Sequence, residues 1–300
     1  MYDQVAQNRR RSILLVLVFF AFTALAAIAI AYAFGLGSPG IALAVVLAGG
    51  AAFASYWKSD SVALAVSRAK PASEQDHARY HNLVEGLCIA AGLPKPRLYV
   101  IDDPAPNAFA TGRNPNHAAI AVTTGLLEKM NRIELEGVLA HELSHIKNYD
   151  ILVSTLAIVM LGVVTLLADL SFRFHWLSGH RRRHDGGPGP QAVLAVVGVL
   201  LIIVGPIVAR LMHFAISRRR EQLADFSAVE LTRYPPGLVA ALEKLRDDAT
   251  VVRSGSRATA HMWIEDPMAQ RPEEGNLVKL NRLFNTHPPI EDRIAALQEL

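Results

Sequence analysis

His141-Glu142-Leu143-Ser144-His145 is the stretch on which the reading of this chain turns. On an α-helix, residues four apart lie on one face a single turn apart, so both imidazoles can reach one ion. Neutral histidine nitrogens hold zinc at about 2.0–2.1 Å. The glutamate between them is not a ligand but sits beside the metal, placed to take a proton from water. The flanks predict the helix that this requires. Asn131 is a candidate N-cap with Glu134 three residues on, a variant of the capping box. Ile133, Val138, Leu139, Leu143 and Ile146 follow at helical spacing, with no proline between Asn131 and Asp150. Gly137 alone weakens the pattern, by about 1 kcal/mol relative to alanine. The plain alternative is a surface helix with two solvated histidines.

The H-E-x-x-H spacing is a metalloprotease signature. Two histidines leave the ion short, because a catalytic zinc site has three protein ligands and an open position. The next candidates lie in Ser217-Arg218-Arg219-Arg220-Glu221-Gln222-Leu223-Ala224-Asp225, where Glu221 and Asp225 share one helical face. In one reading Glu221 completes a His, His, Glu set, and Asp225 receives the outer N–H of a ligating histidine and fixes its tautomer. In the other, this is an ordinary charged helix whose arginines pair with their neighbours.

Hydrophobic residues make up 51% of the chain and the mean hydropathy is +0.25, above that of an ordinary soluble enzyme. The excess is concentrated. No charged residue occurs from Ser12 to Trp57, a run interrupted only by Gly35-Leu36-Gly37-Ser38-Pro39-Gly40. That predicts two spans, 13–34 and 41–57, joined by a tight turn. The first is too long for a signal-peptide core and a second follows at once, so a retained anchor is expected. Apolar stretches 151–168 and 191–209 read either as two further spans or as a buried helical hairpin. The domain plan is therefore a membrane hairpin (1–57), a catalytic part with the histidine pair (58–150), a second membrane hairpin (151–209) and a catalytic part with the third ligand (210–300).

Arg9, Arg10 and Arg11 precede the first span, which places the N-terminus and, after two crossings, residues 58–150 in the cytoplasm. The histidine pair and Glu221 flank the second hairpin and can meet only if the chain crosses an even number of times between them. Arg173, Arg181, Arg182 and Arg183 lie in the intervening connection, against the positive-inside bias. The net charge of +3 and pI near 9.1 suit a membrane surface, and no nucleic-acid module is present. Cys88 is the only cysteine, which excludes a disulfide within the chain and a cysteine-based zinc site.

In the cytoplasmic part, Tyr80, Leu83, Val84, Leu87 and Ile89 predict an amphipathic helix ending at Gly92. β-like pieces 97–101, 107–111 and 118–123 predict a small antiparallel sheet against the metal-site helix. Its outer strand is either open to an extended peptide or covered. Residues 254–270 lack periodicity and read as a flap or a plain loop. A last helix is expected over 290–300. By itself His287, just before it, reads as a surface residue.

Asn107-Ala108-Phe109-Ala110-Thr111-Gly112, the His141–His145 pentad, the 217–225 helix and Thr286-His287-Pro288-Pro289 with Arg293 occur in an order that closely resembles the M48 membrane metallopeptidases, the HtpX-like group in particular. The resemblance covers nearly the whole chain. It implies an integral membrane protein, mainly α, with about four transmembrane helices and a cytoplasmic zincin (gluzincin-like) α+β domain. It implies one Zn2+ per chain on His141, His145 and Glu221, with Glu142 as catalytic base and His287 steadying the oxyanion. It puts Asp225 and Arg293 behind the ligands, and Asn107, Ala108, Phe109, Ala110 and Thr111 along the substrate groove. Gln222 stands where the family often has an aromatic residue. The expected activity is endoproteolysis of misfolded or damaged membrane proteins at the cytoplasmic face of a bacterial inner membrane. The expected partners are unfolded or membrane-protein substrates and the lipid bilayer; no oligomeric state follows. Rival readings are a processing peptidase of the CAAX type and a non-catalytic zinc-containing scaffold.

Overall fold

The computed structural model describes residues 2–33, 35–155, 198–199, 218–254, 262–264 and 289–300. His287, the four arginines of the predicted connection, the stretch 151–168 beyond residue 155, and 191–209 apart from 198–199 lie outside the described residues.

The uncharged N-terminal run folds as two helices packed on each other, α1 (Tyr2–Ala33) and α2 (Gly37–Trp57). Gly35 and Gly37 take positive φ of 67° and 62° in the turn between them, a conformation that glycine adopts without steric cost. The second helix begins earlier than the apolar pattern predicts. Pro39 sits in its first turn, where a missing N–H leaves no bond unmade. Among the described residues, α2 is the one helix long and apolar enough to cross a membrane, with 21 residues and a mean hydropathy of 1.7; α1 holds a shorter apolar stretch, Val16–Tyr32. Leu43, Val46, Leu47 and Phe53 of α2 point outward, the pattern of a helix whose solvent is lipid. Its end is tied to the rest of the chain by Arg113. That guanidinium stacks 3.9 Å from the Trp57 ring and donates to the Trp57 carbonyl at 3.0 Å.

After α3 (Ser59–Val66) come β1 (Lys70–Pro71), α4 (Ala78–Ala91), β2 (Arg97–Ile101), β3 (Ala108–Gly112) and β4 (Ala118–Thr123). Gly92 ends α4 in the left-handed region, and Leu93 N–H closes back on the Cys88 carbonyl at 3.0 Å, a Schellman-type stop. Tyr80, Leu83, Val84, Leu87 and Cys88 form its buried face, whereas Ile89 is exposed.

The sheet is mixed, not antiparallel. Its order is β1-β2-β4-β3, with β2 and β4 parallel and the other two pairs antiparallel. The cause is the connection after β2. It runs through Pro104 and Pro106, too long and too stiff for a tight hairpin. It is pinned by Asp103, whose carboxylate accepts from Ala105 N and from Arg253 N, Ser254 N and Ser254 Oγ. The chain thus reaches the far edge as β3 and returns through the short turn 113–117 as β4, which fills the space beside β2. β1, two residues long, carried no readable pattern.

The outer edge of β3 is largely engaged. Ala108 N–H donates to its neighbour Asn107 Oδ1, and the Ala108 carbonyl accepts from Ile264 N–H at 2.9 Å. Thr155 Oγ1 bonds both backbone groups of Gly112 at 3.2 Å. Ala108 and Ala110 face the main core with α4, while Phe109 faces a smaller cluster with Ala63, Leu64 and Trp263.

Two short helices follow, α5 (Thr124–Lys129) and α6 (Arg132–Lys147), then α7 (Arg218–Thr232), α8 (Pro235–Asp247) and α9 (Ile290–Gln298). The pair Pro235-Pro236 opens α8 at its first positions, as proline permits. Gly137 lets α6 and α8 touch backbone to backbone: a Cβ there would lie 2.8 Å from Leu238 N and 2.9 Å from Leu238 Cα. Gly137→Ala is therefore expected to destabilise the protein by about 1–3 kcal/mol through overpacking, despite alanine's advantage of about 1 kcal/mol in helix propensity. A thermal unfolding midpoint at or above wild type would show that α8 can move away.

Candidate metal centre

Asn131 starts α6 as its sequence suggests. Its Oδ1 accepts from Ile133 N at 2.9 Å and Glu134 N at 3.0 Å, and the Glu134 carboxylate accepts from Asn131 N at 2.8 Å. Both halves of the capping box are made. Leu135, Val138, Leu139 and Ile146 are buried, so the face bearing His141, Glu142 and His145 is fixed by packing. α7 lies against α6, and Ala140, Ala224 and Ala228 on the two helices are buried. This packing brings Glu221 to face both histidines.

His141 Nε2 and His145 Nε2 are 3.2 Å apart, and each lies 3.6 Å from a Glu221 oxygen. Ligands bound tetrahedrally at about 2.0–2.1 Å sit about 3.3–3.4 Å from one another. One ligand atom from each of the three residues falls within 4.8 Å of the others. The donor set therefore fits zinc. Beside it the Glu142 carboxylate is buried, and its Oε2 has no hydrogen-bond partner among the described residues. Burial raises the Glu142 pKa; His141 and His145 and a backbone hydrogen bond from Ala110 act the other way.

Behind the ligands, Asp225 Oδ1 lies 2.9 Å from His141 Nδ1. Arg293 grips the same carboxylate with two prongs, Nε to Oδ2 at 2.9 Å and Nη2 to Oδ1 at 2.7 Å, the bidentate geometry that suits a guanidinium. Arg293 Nη2 is also 3.4 Å from His141 Nδ1. The Asp225 carboxylate can only accept, so in the 2.9 Å contact Nδ1–H donates to it, leaving Nε2 to face Glu221. Burial pulls the His141 pKa down, yet its bonds to Asp225 and Glu221 outweigh this and carry it to about 9. The negative potential that favours a proton here also favours a cation. Burial likewise works to raise the Asp225 pKa, but Arg293 and His141 hold it below the ordinary aspartate value.

The cleft over the centre is lined by His141, Glu142, His145, Glu221, Asp150, Ile151, Ser154 and Arg220. Ala110 and the 262–264 segment close its other side. Of the five groove residues expected at 107–111, only Ala110 reaches it. Asn107 is buried, with its backbone N–H and carbonyl both bonded to Thr123 at the end of β4. The sequence reading missed two contributors. Asp150 Oδ2 lies 3.2 Å from His145 Nδ1. Ile264 is held between β3 and Arg293, whose Nη1 donates to the Ile264 carbonyl at 3.2 Å. The only sequence signal for the latter was a short apolar run, Met262-Trp263-Ile264, inside an aperiodic stretch.

Residues 74–300 match peptidase family M48. Relatives named "Protease HtpX homolog" align along the full chain. One from Lactobacillus acidophilus is 41% identical over 308 residues, covering 100% of both chains. One from Streptococcus equi subsp. equi is 42% identical over 305 residues, again with 100% of both covered. One from Caldanaerobacter subterraneus subsp. tengcongensis is 40% identical over 301 residues, covering 100% of this chain and 98% of its own. The crystal structure of S. mikatae Ste24p matches with a TM-score of 0.46 at 19% identity, over 86% of this chain and 64% of that one. With a largely buried His, His, Glu cluster at its centre, a family match over residues 74–300 and HtpX-homolog relatives along its full length, the chain belongs to the M48 peptidases and is a metalloprotease.

Proposed function

We propose that the chain is a zinc-dependent, multi-pass membrane endopeptidase that cuts misfolded or damaged membrane proteins at the cytoplasmic face of a bacterial inner membrane. The observation that carries this reading is the convergence of His141, His145 and Glu221 on one point, with the Glu142 carboxylate beside it. When bound, zinc supplies Lewis-acid polarisation of a peptide carbonyl and lowers the pKa of water. His141 and His145 would hold the metal through the Nε2 atoms that face each other, and Glu221 would contribute its carboxylate. Glu142 removes a proton from the attacking water and delivers it to the leaving amine. Its burial, which raises the carboxyl pKa, suits a group that must take a proton near neutral pH. His287 is proposed to steady the oxyanion.

An extended substrate is proposed to lie along β3, with its backbone pairing with Ala110 and taking over the Ala108 carbonyl from Ile264. The meeting of α6 and α7 supports an even number of crossings between them, which suits spans at 151–168 and 191–209 after those at 13–34 and 41–57. Three arginines before the first span then favour a cytoplasmic site.

The test is chelator-sensitive cleavage of casein and of a destabilised membrane protein by detergent-purified protein, with zinc counted per chain. Glu221→Ala is expected to weaken zinc retention by more than the about 10–100-fold typical of losing an outer hydrogen-bond partner. Zinc retained at wild-type affinity in that variant would remove Glu221 from the ligand set. Cleavage confined to a lipidated C-terminal peptide would favour the narrower processing activity.

A further inference from the structure

The two histidines are supported differently by the chain. His141 leans on a carboxylate from α7, whereas His145 leans on one only five residues further along its own segment. On an unbroken helix that residue would point about 140° away from His145, at about 100° per residue. The helix is broken to bring it back. α6 ends at Lys147 with Asn148 as its C-cap, and Tyr149 takes φ 60°, a left-handed conformation uncommon for any residue but glycine. Residues 150–155 then start a new helix. Asp150 is buried, with Oδ2 at 3.2 Å from His145 Nδ1 and Oδ1 at 3.5 Å from Arg220 Nη1, the residue before Glu221. One carboxylate thus bridges the second histidine and the strand of contacts leading to the third ligand. A left-handed non-glycine residue next to the carboxylate that faces a candidate ligand points to a functional constraint.

We propose that Asp150 is the positioning residue of His145. Its carboxylate accepts a hydrogen bond from His145 Nδ1–H and turns Nε2 toward the cation, as Asp225 does for His141. The inference rests on the metal reading above and extends it to a residue outside the ligand set. The full-length protein in detergent is stripped of metal and titrated with Zn2+ against a chromophoric chelator, as wild type, D150A and the isosteric D150N. The expected result is a rise in the zinc dissociation constant of about 10–100-fold for D150A, with a smaller rise for D150N, which keeps an acceptor but not the charge. Each variant should still bind one zinc at saturation. Co2+-loaded D150N should show a shifted visible absorption, a signature that a purely structural role would leave unmoved. If D150A does not fold, D150N decides. A dissociation constant within twofold of wild type, or an unshifted Co2+ spectrum, overturns the proposal. A wild-type protein that binds no zinc would overturn the metal reading itself.

Discussion

Glu142→Gln is expected to leave one zinc per chain in place while lowering peptide cleavage by about 10²–10⁴-fold, the usual contribution of a general base. The amide is nearly the same size as the carboxylate and keeps an oxygen that can accept the backbone hydrogen bond from Ala110. Neither histidine depends on Glu142 for its orientation, since Asp225 faces His141 Nδ1 and Asp150 faces His145 Nδ1. The variant thus separates metal retention from proton transfer. Zinc content and initial rates on the same preparation make the comparison. Undiminished cleavage would mean that another group takes the proton, and zinc loss alongside inactivity would mean that Glu142 helps to hold the metal.

The second large effect belongs to Arg293. Its side chain and that of Asp225 are 1% and 3% exposed, so Arg293→Ala leaves a buried carboxylate facing His141 with its main counter-charge gone. Breaking such a pair from one side costs about 3–5 kcal/mol, a large share of the about 5–15 kcal/mol that holds a domain folded. Arg293→Lys should recover only part of the loss, because an ammonium cannot make the two-pronged contact or reach the Ile264 carbonyl at the same time. The double variant D225N/R293M should regain part of the stability, since the Asp225–Arg293 charges go together while Glu221 still loses the guanidinium 4.0 Å away, yet bind zinc more weakly than wild type. Unfolding midpoints and zinc titrations on the three proteins read this out. A midpoint for Arg293→Ala within a degree or two of wild type would show that Asp225 finds another partner or a proton.

What the sequence showed and hid follows from the range of the interactions involved. The α6 cap and its ligand face were legible because capping and the 3.6-residue period act within a few residues. The third ligand was legible as a candidate for the same reason, since Glu221 and Asp225 share a face at spacing four. Its convergence with the histidines needed the packing of α6 on α7. The parallel pairing of β2 with β4 was hidden. Alternation tells which face a strand buries but not which neighbour it takes, and the deciding feature was a connection pinned by Asp103 to backbone about 150 residues away. Ile89 fitted the helical pattern of α4 and yet is exposed, because none of the described elements covers that side. Asp150 was hidden by the left-handed Tyr149, which no local residue preference announces. Gly137, a weakness by helix propensity, is where the backbones of α6 and α8 touch.

The position of Arg293 along the chain also orders events during synthesis. It is 152 residues beyond His141 and 68 beyond Asp225. At about 5–20 residues per second, the ribosome releases the histidine pair roughly 8–30 s before the guanidinium that completes the cluster. A nascent peptidase therefore lacks the cation that neutralises Asp225 until a further 68 residues beyond that carboxylate have been translated.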